Sequence, residues 1–310
     1  MNNIVNMCNK LINYEYKGTK SIVIVGPDFT DKNKLRVYVN GGLLGKIYIG
    51  NCANVRSELI DKKYDNSFLK TGKLKNLIEY AKNNNLENSV IVSPEYLEMA
   101  IQVIEKKFAT KSRGIKITGD NEKERYVEAR IVKKYMNTTK SWAVVDMEVQ
   151  FPKSYFENVK FSAGTTQAPR FDLVVINEKG LGIIELKVNN ENCDNMLSHY
   201  EHMTYVHDNP KKFSKEFERR IEILGKYELI SQKTFQQYKN LLKQGELPLW
   251  CGFLFIGGGK KGAKQIVKKL DGKEKVKDIK FMYYDDYDLT ELNINEMVSY
   301  EEFIGEKDSI

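Results

Sequence analysis

The sequence lacks several features that would place it in common classes of protein. Its four cysteines are Cys8, Cys52, Cys193 and Cys251. They are scattered without the spacing of a metal-binding motif, which indicates a reducing compartment. No stretch reaches the ~18 consecutive apolar residues of a membrane span, and the N-terminus lacks the charged start and apolar core of a secretion signal. We therefore expect a cytoplasmic protein with no membrane partner.

Motifs of several enzyme classes are also missing. The chain has no Gly-x-Ser-x-Gly elbow, and nothing in it indicates a nucleophilic triad. The glycine-rich stretch at 257–262 lacks the spacing of a nucleotide-binding Walker loop. That stretch predicts instead a basic turn after a strand, where Lys260 and Lys261 can contact the phosphates of a nucleic acid.

The three histidines, His199, His202 and His207, are clustered in the sequence. A zinc site of the ordinary type needs four ligands at characteristic spacings, which these residues do not have. Two interpretations stay open. Either His199 or its neighbour Tyr200 contacts phosphate, or the histidines are plain residues of a helix surface.

The overall charge favours a polyanionic partner. The 310 residues include 49 Lys and Arg against 42 Asp and Glu, which gives a formal net charge of +7 and a pI near 8.9. A positive excess of this kind favours nucleic acid as the partner, although a chain rich in lysine and asparagine also reflects a biased genome.

The most informative feature is a set of ionisable residues inside apolar, β-branched runs. Asp172 lies in the run before the turn-forming residues 177–180, and Glu185 and Lys187 lie in the run after them. This pattern predicts an antiparallel hairpin, and alternation along a strand places Glu185 and Lys187 on one face. Unpaired charges in apolar surroundings cost several kcal/mol. We therefore expect a divalent cation, Mg²⁺ or Mn²⁺, to join the two carboxylates.

An aspartate, a hairpin turn and the Glu-x-Lys triplet at 185–187 resemble the PD-(D/E)xK nuclease superfamily. The resemblance covers about the last two thirds of the chain. The residue before the aspartate is Phe171, with Pro169 two positions further back, so the nominal Pro-Asp pair of the family is absent. The resemblance implies an α/β (α+β) fold with a restriction-endonuclease-like core, in which a helix, a three-stranded meander, a second helix and a fourth strand follow one another.

The same resemblance implies roles for the residues of the hairpin. Asp172 and Glu185 hold the Mg²⁺ or Mn²⁺ ion, and the carbonyl of Leu186 completes its coordination. Lys187 polarises or orients the attacking water. A glutamate from the first helix also supports the metal or its water in this family.

For that helix acid the sequence offers two candidates. The segment 121–136 predicts a helix, and Glu128 lies in its apolar stripe with Ile131 and Tyr135. Glu124 is one helical turn earlier. We favour Glu128, which can reach the hairpin, although either residue is equally open to interpretation as a solvated helix charge.

The segments around the hairpin follow the order that the family implies. Strands are predicted at 142–151 and 249–256, a second core helix at 196–206 and a further strand at 279–284. Residues 162–170 form a small, polar loop that can lie beside a phosphate backbone, and Arg170 adds a cation there. An ordinary flexible loop is the alternative interpretation of that stretch.

Residues 1–112 are expected to form a separate α+β module, and residues 113–310 the nuclease-like domain. Within the module, strands are predicted at 20–25, 35–39, 44–49 and 89–92, and helices at 72–83 and 94–107. The Asn-Gly-Gly sequence at 40–42 is a strong hairpin signal. No catalytic constellation occurs in this part, so recognition, regulation and oligomerisation are all open as its role.

The sequence thus predicts a metal-dependent nuclease that hydrolyses phosphodiester bonds, with DNA favoured over RNA and prokaryotic defence as the expected setting. Cutting both strands of a duplex favours a homo-oligomer, a dimer or a larger assembly. The alternative is a catalytically inactive protein that keeps the fold and binds nucleic acid or assembles with partners.

Overall fold

The computed structural model describes residues 2–15, 22–29, 31–50, 58–61, 72–111, 124–138, 140–157, 159, 161, 169–190, 193–243 and 248–305. The chain divides into two compact units. The first unit comprises Met1–Lys133 with Tyr227–Leu229, and the second comprises Lys134–Lys226 with Ile230–Ile310. The boundary predicted between residues 112 and 113 lies outside the described residues and stays a prediction.

The first unit contains a three-stranded antiparallel sheet. Its strands, in the order β1-β2-β3, are Val23–Pro27, Lys34–Val39 and Gly42–Tyr48. The turn between β2 and β3 is formed by Asn40 and Gly41, whose φ angles are 47° and 75°. Both positive angles match the twist of a two-residue hairpin, and asparagine and glycine tolerate them best. The hairpin predicted at 40–42 is therefore present.

The helices of this part of the chain are α1 (Asn2–Ile12), α2 (Gly72–Asn84), α3 (Glu87–Val90), α4 (Pro94–Lys111) and α5 (Glu124–Tyr135), the last of which ends in the second unit. The prediction of a strand at 89–92 is wrong, because α3 occupies the first half of that segment and a turn the second half. The backbone N–H groups of Ser89 and Val90 both donate to the carbonyl of Leu86 at 2.9 Å. A local turn thus satisfies the backbone, and the apolar side chains of Val90 and Ile91 are buried without a partner strand.

A five-stranded mixed sheet forms the centre of the second unit. Its strands, in the order β4-β5-β6-β7-β8, are Ala143–Gln150, Arg170–Asn177, Gly180–Val188, Leu249–Ile256 and Ile279–Tyr284. β5 is antiparallel to both of its neighbours, β4 and β6, whereas β6, β7 and β8 are parallel. Parallel neighbours need a long connection. Helices accordingly occupy the segments between β6 and β7 and between β7 and β8.

The helices of the second unit are α6 (Met196–Asp208), α7 (Pro210–Lys226), α8 (Gln232–Lys243), α9 (Lys260–Val267) and α10 (Tyr300–Gly305). Only α6 was expected from the pattern. α7 buries Phe213 and Phe217, one helical turn apart. The rings of these two residues lie with their centroids 4.7 Å and 5.3 Å from that of Phe151, which follows β4. α7 therefore packs on the end of the sheet where β4 finishes and β5 begins.

The fold is of the mixed α/β, or α+β, class, as the sequence predicts. Among the described helices, none is long and apolar enough to cross a membrane.

Candidate functional site

The hairpin of β5 and β6 brings Asp172 and Glu185 to matching positions. The pairing of these strands runs from Asn177 with Gly180 to Leu173 with Ile184. One further step in this register places Asp172 directly opposite Glu185. Because opposing residues of antiparallel strands share a face, both carboxylates lie on the same side of the sheet.

Glu185 is the centre of a buried charge cluster. One of its oxygens, Oε1, lies 2.9 Å from Lys187 Nζ and 2.9 Å from His199 Nδ1. Lys187 shares the face of Glu185 on β6, and α6 delivers His199 from the neighbouring layer. Because a carboxylate oxygen only accepts, His199 Nδ1 carries the proton of this hydrogen bond. The contact between His199 and Glu185 was not expected from the sequence.

The second oxygen of Glu185 has a different environment. Glu185 is 2% exposed, and in the described part of the chain no donor lies within hydrogen-bond distance of Oε2. Buried polar atoms in native proteins nearly always have a partner. Oε2 is therefore a buried anionic oxygen that lacks a hydrogen-bond partner among the described residues.

The pKa of Glu185 follows from this arrangement. Burial by itself raises the pKa of the carboxyl, but the Lys187 ammonium and the His199 imidazole outweigh burial and hold it below its ordinary value. Glu185 is therefore ionised at neutral pH. An ionised carboxylate with an open oxygen is suited to bind a cation.

Asp172 and Leu186 complete the innermost part of the site. Asp172 is buried, and its Oδ2 accepts a hydrogen bond from the backbone N–H of Leu186 at 2.8 Å. The carbonyl of Leu186 accepts a hydrogen bond from Lys187 Nζ at 3.1 Å. The four residues predicted from the hairpin, Asp172 and 185–187, are thus linked by direct hydrogen bonds.

The donor set fits the chemistry of Mg²⁺ or Mn²⁺. These ions prefer oxygen ligands, and Asp172, Glu185 and the Leu186 carbonyl supply them. The open Oε2 of Glu185 is the atom that a cation would satisfy first. Over the described ranges, however, no group of three or more His, Cys, Asp and Glu side chains is arranged to hold a metal ion.

Glu148 is a buried acid near this site that the sequence analysis did not single out. Its Oε2 lies 2.9 Å from the Nε of Arg170, the residue predicted to contact nucleic acid. Arg170 is two residues before Asp172 on β5 and so shares its face. A signal for Glu148 existed in the sequence, since it is an acid within the apolar strand 142–151, the same kind of anomaly that identified Asp172.

The other predicted residues of α6 occupy different environments. The hydroxyl of Tyr200 accepts a hydrogen bond from the backbone N–H of Lys275 at 3.2 Å, and the residue is buried. His202 is also buried, and its ring meets that of Phe161 edge to face with 4.4 Å between centroids. Burial, with the neighbouring His199, lowers the pKa of His202 to about 4. His199 thus contacts Glu185 directly, whereas His202 senses the Glu185 charge without a direct contact.

Lys260 and Lys261 are the first two residues of α9, directly after the three-glycine turn at 257–259. The glycines of this turn have φ angles of 66°, 71° and 82°, which favour glycine. The side-chain amide of Asn190 donates to the carbonyl of Gly258 at 2.5 Å. Since Asn190 follows β6 and the turn follows β7, the two basic residues lie at the edge where these parallel strands end.

The two candidate helix acids belong to α5. Glu128 is 1% exposed, whereas Glu124 is half-buried. Both residues belong to the first unit, and the hairpin belongs to the second. The role of Glu128 at the metal, and the preference for it over Glu124, therefore stay predictions. The loop 162–168 lies outside the described residues.

The hairpin cluster of Asp172, Glu185, Lys187 and His199, with Glu148 and Arg170 beside it, is thus the candidate functional site of this chain. No family model matches the chain, and neither a curated protein nor a solved structure matches it.

Proposed function

We propose that this chain is a metal-dependent nuclease that hydrolyses phosphodiester bonds in nucleic acid. The observation that carries the proposal is the buried Glu185, whose Oε2 has no hydrogen-bond partner among the described residues. Asp172 lies beside it in register, and Lys187 supplies a buried cation. Two carboxylates and an ammonium on one sheet face are the groups that the resemblance to the PD-(D/E)xK superfamily calls for.

The order of elements supports a restriction-endonuclease-like core as part of the same proposal. The helix α5 precedes the antiparallel strands β4, β5 and β6, and the helices that follow lead to β7, which pairs parallel to β6. This is the succession that the resemblance implies for the core. The helices α7 and α8 are additions to it.

In the proposed reaction, Asp172, Glu185 and the Leu186 carbonyl would hold Mg²⁺ or Mn²⁺. The ion, when bound, lowers the pKa of its water and stabilises charge on the phosphate oxygens. Lys187 adds a positive charge at the same centre and orients the attacking water. His199 holds Oε1 of Glu185, which leaves Oε2 as the oxygen that faces the reaction.

DNA is the favoured substrate, over RNA. The net charge of +7 favours a polyanion, and basic side chains lie near the site at Arg170, Lys260 and Lys261. A homo-oligomer, a cytoplasmic location and a role in prokaryotic defence belong to the same proposal. Defence rests on analogy with proteins that combine a nuclease fold and a second module.

One observation favours a second candidate, a catalytically inactive protein that binds nucleic acid. Lys187 and His199 already compensate Oε1 of Glu185 without any metal ion. A buried carboxylate whose oxygen is paired in this way can persist as part of a stable core. The two candidates differ in what a divalent cation does, because only the nuclease requires one.

The test incubates the purified full chain with linear, circular and single-stranded DNA and with RNA, in Mg²⁺, in Mn²⁺ and in EDTA. The nuclease proposal expects cleavage that needs the metal and is lost in Asp172→Asn. Mn²⁺ binding, followed by calorimetry, should be lost with it. Asp271→Asn, the same change at an exposed position, is the matched control and should behave as wild type.

The outcomes separate the candidates. Binding of nucleic acid without cleavage, in every metal, favours the inactive protein. If the wild-type chain neither binds nor cuts any of the substrates, both candidates are wrong.

A further inference from the structure

Three acids occupy matching positions on three neighbouring strands. The pairs Met147 with Leu173 and Val149 with Phe171 enclose Glu148 in β4, so its register position is opposite Asp172 in β5. Asp172 in turn lies opposite Glu185 in β6. Glu148 therefore continues the row of carboxylates by one strand.

The backbone at Glu148 is strained. Its φ angle is 51°, in the left-handed region that a glutamate within a strand seldom adopts. Conformations of this kind cost about 1–3 kcal/mol and persist where surrounding structure enforces them. Strained backbone of this kind is concentrated at functional sites, and Glu148 lies in the row of carboxylates.

The side chain of Glu148 pairs with that of Arg170. The carboxylate of Glu148 is 9% exposed and the side chain of Arg170 is 46% exposed. The two groups meet through Nε, at 2.9 Å from Oε2. A buried acid thus contacts the Nε of a partly exposed guanidinium, and Arg170 lies on the face of Asp172. A planar guanidinium in a fixed orientation is suited to the paired oxygens of a phosphate.

We propose that Glu148 is a positioning residue, which fixes the Arg170 guanidinium beside Asp172 and Glu185 so that it contacts the non-bridging oxygens of the phosphodiester being cut. This inference rests on the proposed nuclease function and names a role that the sequence did not assign. Arg170 touches the substrate, and Glu148 acts through Arg170.

Loss of the Glu148 charge and loss of Arg170 positioning would have different effects on cleavage. Removing the negative charge of Glu148 makes the surroundings more positive, and a simple electrostatic effect would then tighten the binding of a polyanion. Loss of positioning instead lowers kcat, because a reacting group held in the wrong place loses about 100-fold in rate for a displacement near 1 Å. Measuring kcat and KM separately distinguishes the two.

The variants are chosen so that each one can fold. Glu148→Asn removes the carboxylate but suits the left-handed backbone, which asparagine tolerates. Glu148→Gln keeps an oxygen that can accept from Arg170 and is the conservative variant. Glu228→Asn is the matched control, because Glu228 is exposed and has a φ angle of 56°.

In DNA cleavage with Mg²⁺, Glu148→Asn should lower kcat by about tenfold or more without raising KM, and its melting temperature should not fall. Glu148→Gln should recover part of kcat, and Glu228→Asn should match wild type. Arg170→Ala should lose at least as much as Glu148→Asn. The double variant should lose no more than Arg170→Ala alone, because the two residues act as one unit. A wild-type kcat in Glu148→Asn, or additive losses in the double variant, would overturn the inference.

A second measurement does not depend on cleavage. The Nε–H resonance of Arg170, assigned with Arg170→Lys, should be visible by NMR, shift when a short DNA duplex is added, and disappear in Glu148→Asn. If the wild-type chain does not cut but this resonance still shifts with DNA, the nuclease function is wrong and the positioning of Arg170 stands. If the chain cuts but the resonance does not respond to DNA, the positioning role is wrong and the nuclease function stands.

Discussion

Lys187 Nζ lies 2.9 Å from Glu185 Oε1, and the side chains of both residues are almost wholly buried. The pair is formed by neighbours on one face of β6, so the strand itself fixes the distance. His199 adds a second donor to the same oxygen. This leaves Lys187 with two roles, since it compensates a buried anion in the folded chain and lies at the proposed reaction centre.

The first prediction concerns stability at this pair. Lys187→Met keeps the volume of the side chain but removes the ammonium beside the buried Glu185 carboxylate. Removing one partner of a buried pair commonly costs about 3–5 kcal/mol. We expect a loss of this order in the free energy of unfolding, measured by urea denaturation. The double variant Glu185→Gln with Lys187→Met should recover much of it, because position 185 then no longer carries a buried charge that has lost its cation. Additive losses would show that the two side chains do not depend on one another.

The hairpin was predictable because its signals are local. Apolar runs, a turn sequence and alternation of side chains placed Asp172, Glu185 and Lys187 on one sheet face without knowledge of the rest of the chain. The contact of His199 with Glu185 depends on how α6 packs against the sheet. Helical periodicity gives the face of a helix but not the strand that it meets.

Glu148 shows a different limit of sequence reasoning. Its position inside a strand is visible in the sequence, but its left-handed φ angle is not, since such a conformation is imposed by the paired residues on either side. The error at 89–92 has a related cause. A run of three apolar, β-branched residues after a serine suits a strand or a buried helical turn, and its length does not decide between them.

The second prediction concerns pH. The pKa of His202 is lowered to about 4, chiefly by burial, from an ordinary value of 6.5. Above pH 6.5 both the folded and the unfolded chains are neutral at this residue. As the pH falls from 6.5 towards 4, His202 binds a proton in the unfolded chain but not in the folded chain. The free energy of unfolding therefore falls across this window. His202→Gln should flatten that part of the curve in urea denaturation between pH 7 and pH 4. A variant that changes stability equally at every pH would contradict the assignment.

The third prediction concerns the turn that precedes Lys260. A Cβ on Gly257 would clash with the hydroxyl oxygen of Tyr287, and the φ angle there is 66°. Gly272 has a φ angle of 72° but nothing within 4 Å of the same position. Gly272→Ala should therefore cost only the backbone term of about 1–2 kcal/mol. Gly257→Ala should cost clearly more in urea denaturation, and Gly257→Ala with Tyr287→Phe should recover part of the difference. Equal losses in the two single variants would exclude a steric role for Tyr287.

The last prediction concerns the ion pair that anchors β4. Arg220 of α7 contacts Asp146 through both Nε and a terminal nitrogen, and the side chains are 2% and 5% exposed. The neighbouring Arg219 pairs with Glu216 but is 26% exposed. Arg220→Met should therefore lower the free energy of unfolding by about 3–5 kcal/mol, because Asp146 is left buried without its cation.

Arg219→Met is the matched control for that change. The buried Glu216 also lies 3.8 Å from Arg220 Nη1, so it keeps a cation in Arg219→Met, and the loss in urea denaturation should be smaller than that of Arg220→Met. Asp146 is two residues before Glu148 in β4, so the same pair also supports the strand that carries the strained backbone. If the positioning of Arg170 depends on that strand, Arg220→Met should lower kcat for DNA at a temperature where it is still folded, and Arg219→Met should not. A stable Arg220→Met variant with wild-type kcat would show that Arg220 is not needed to hold β4 in place.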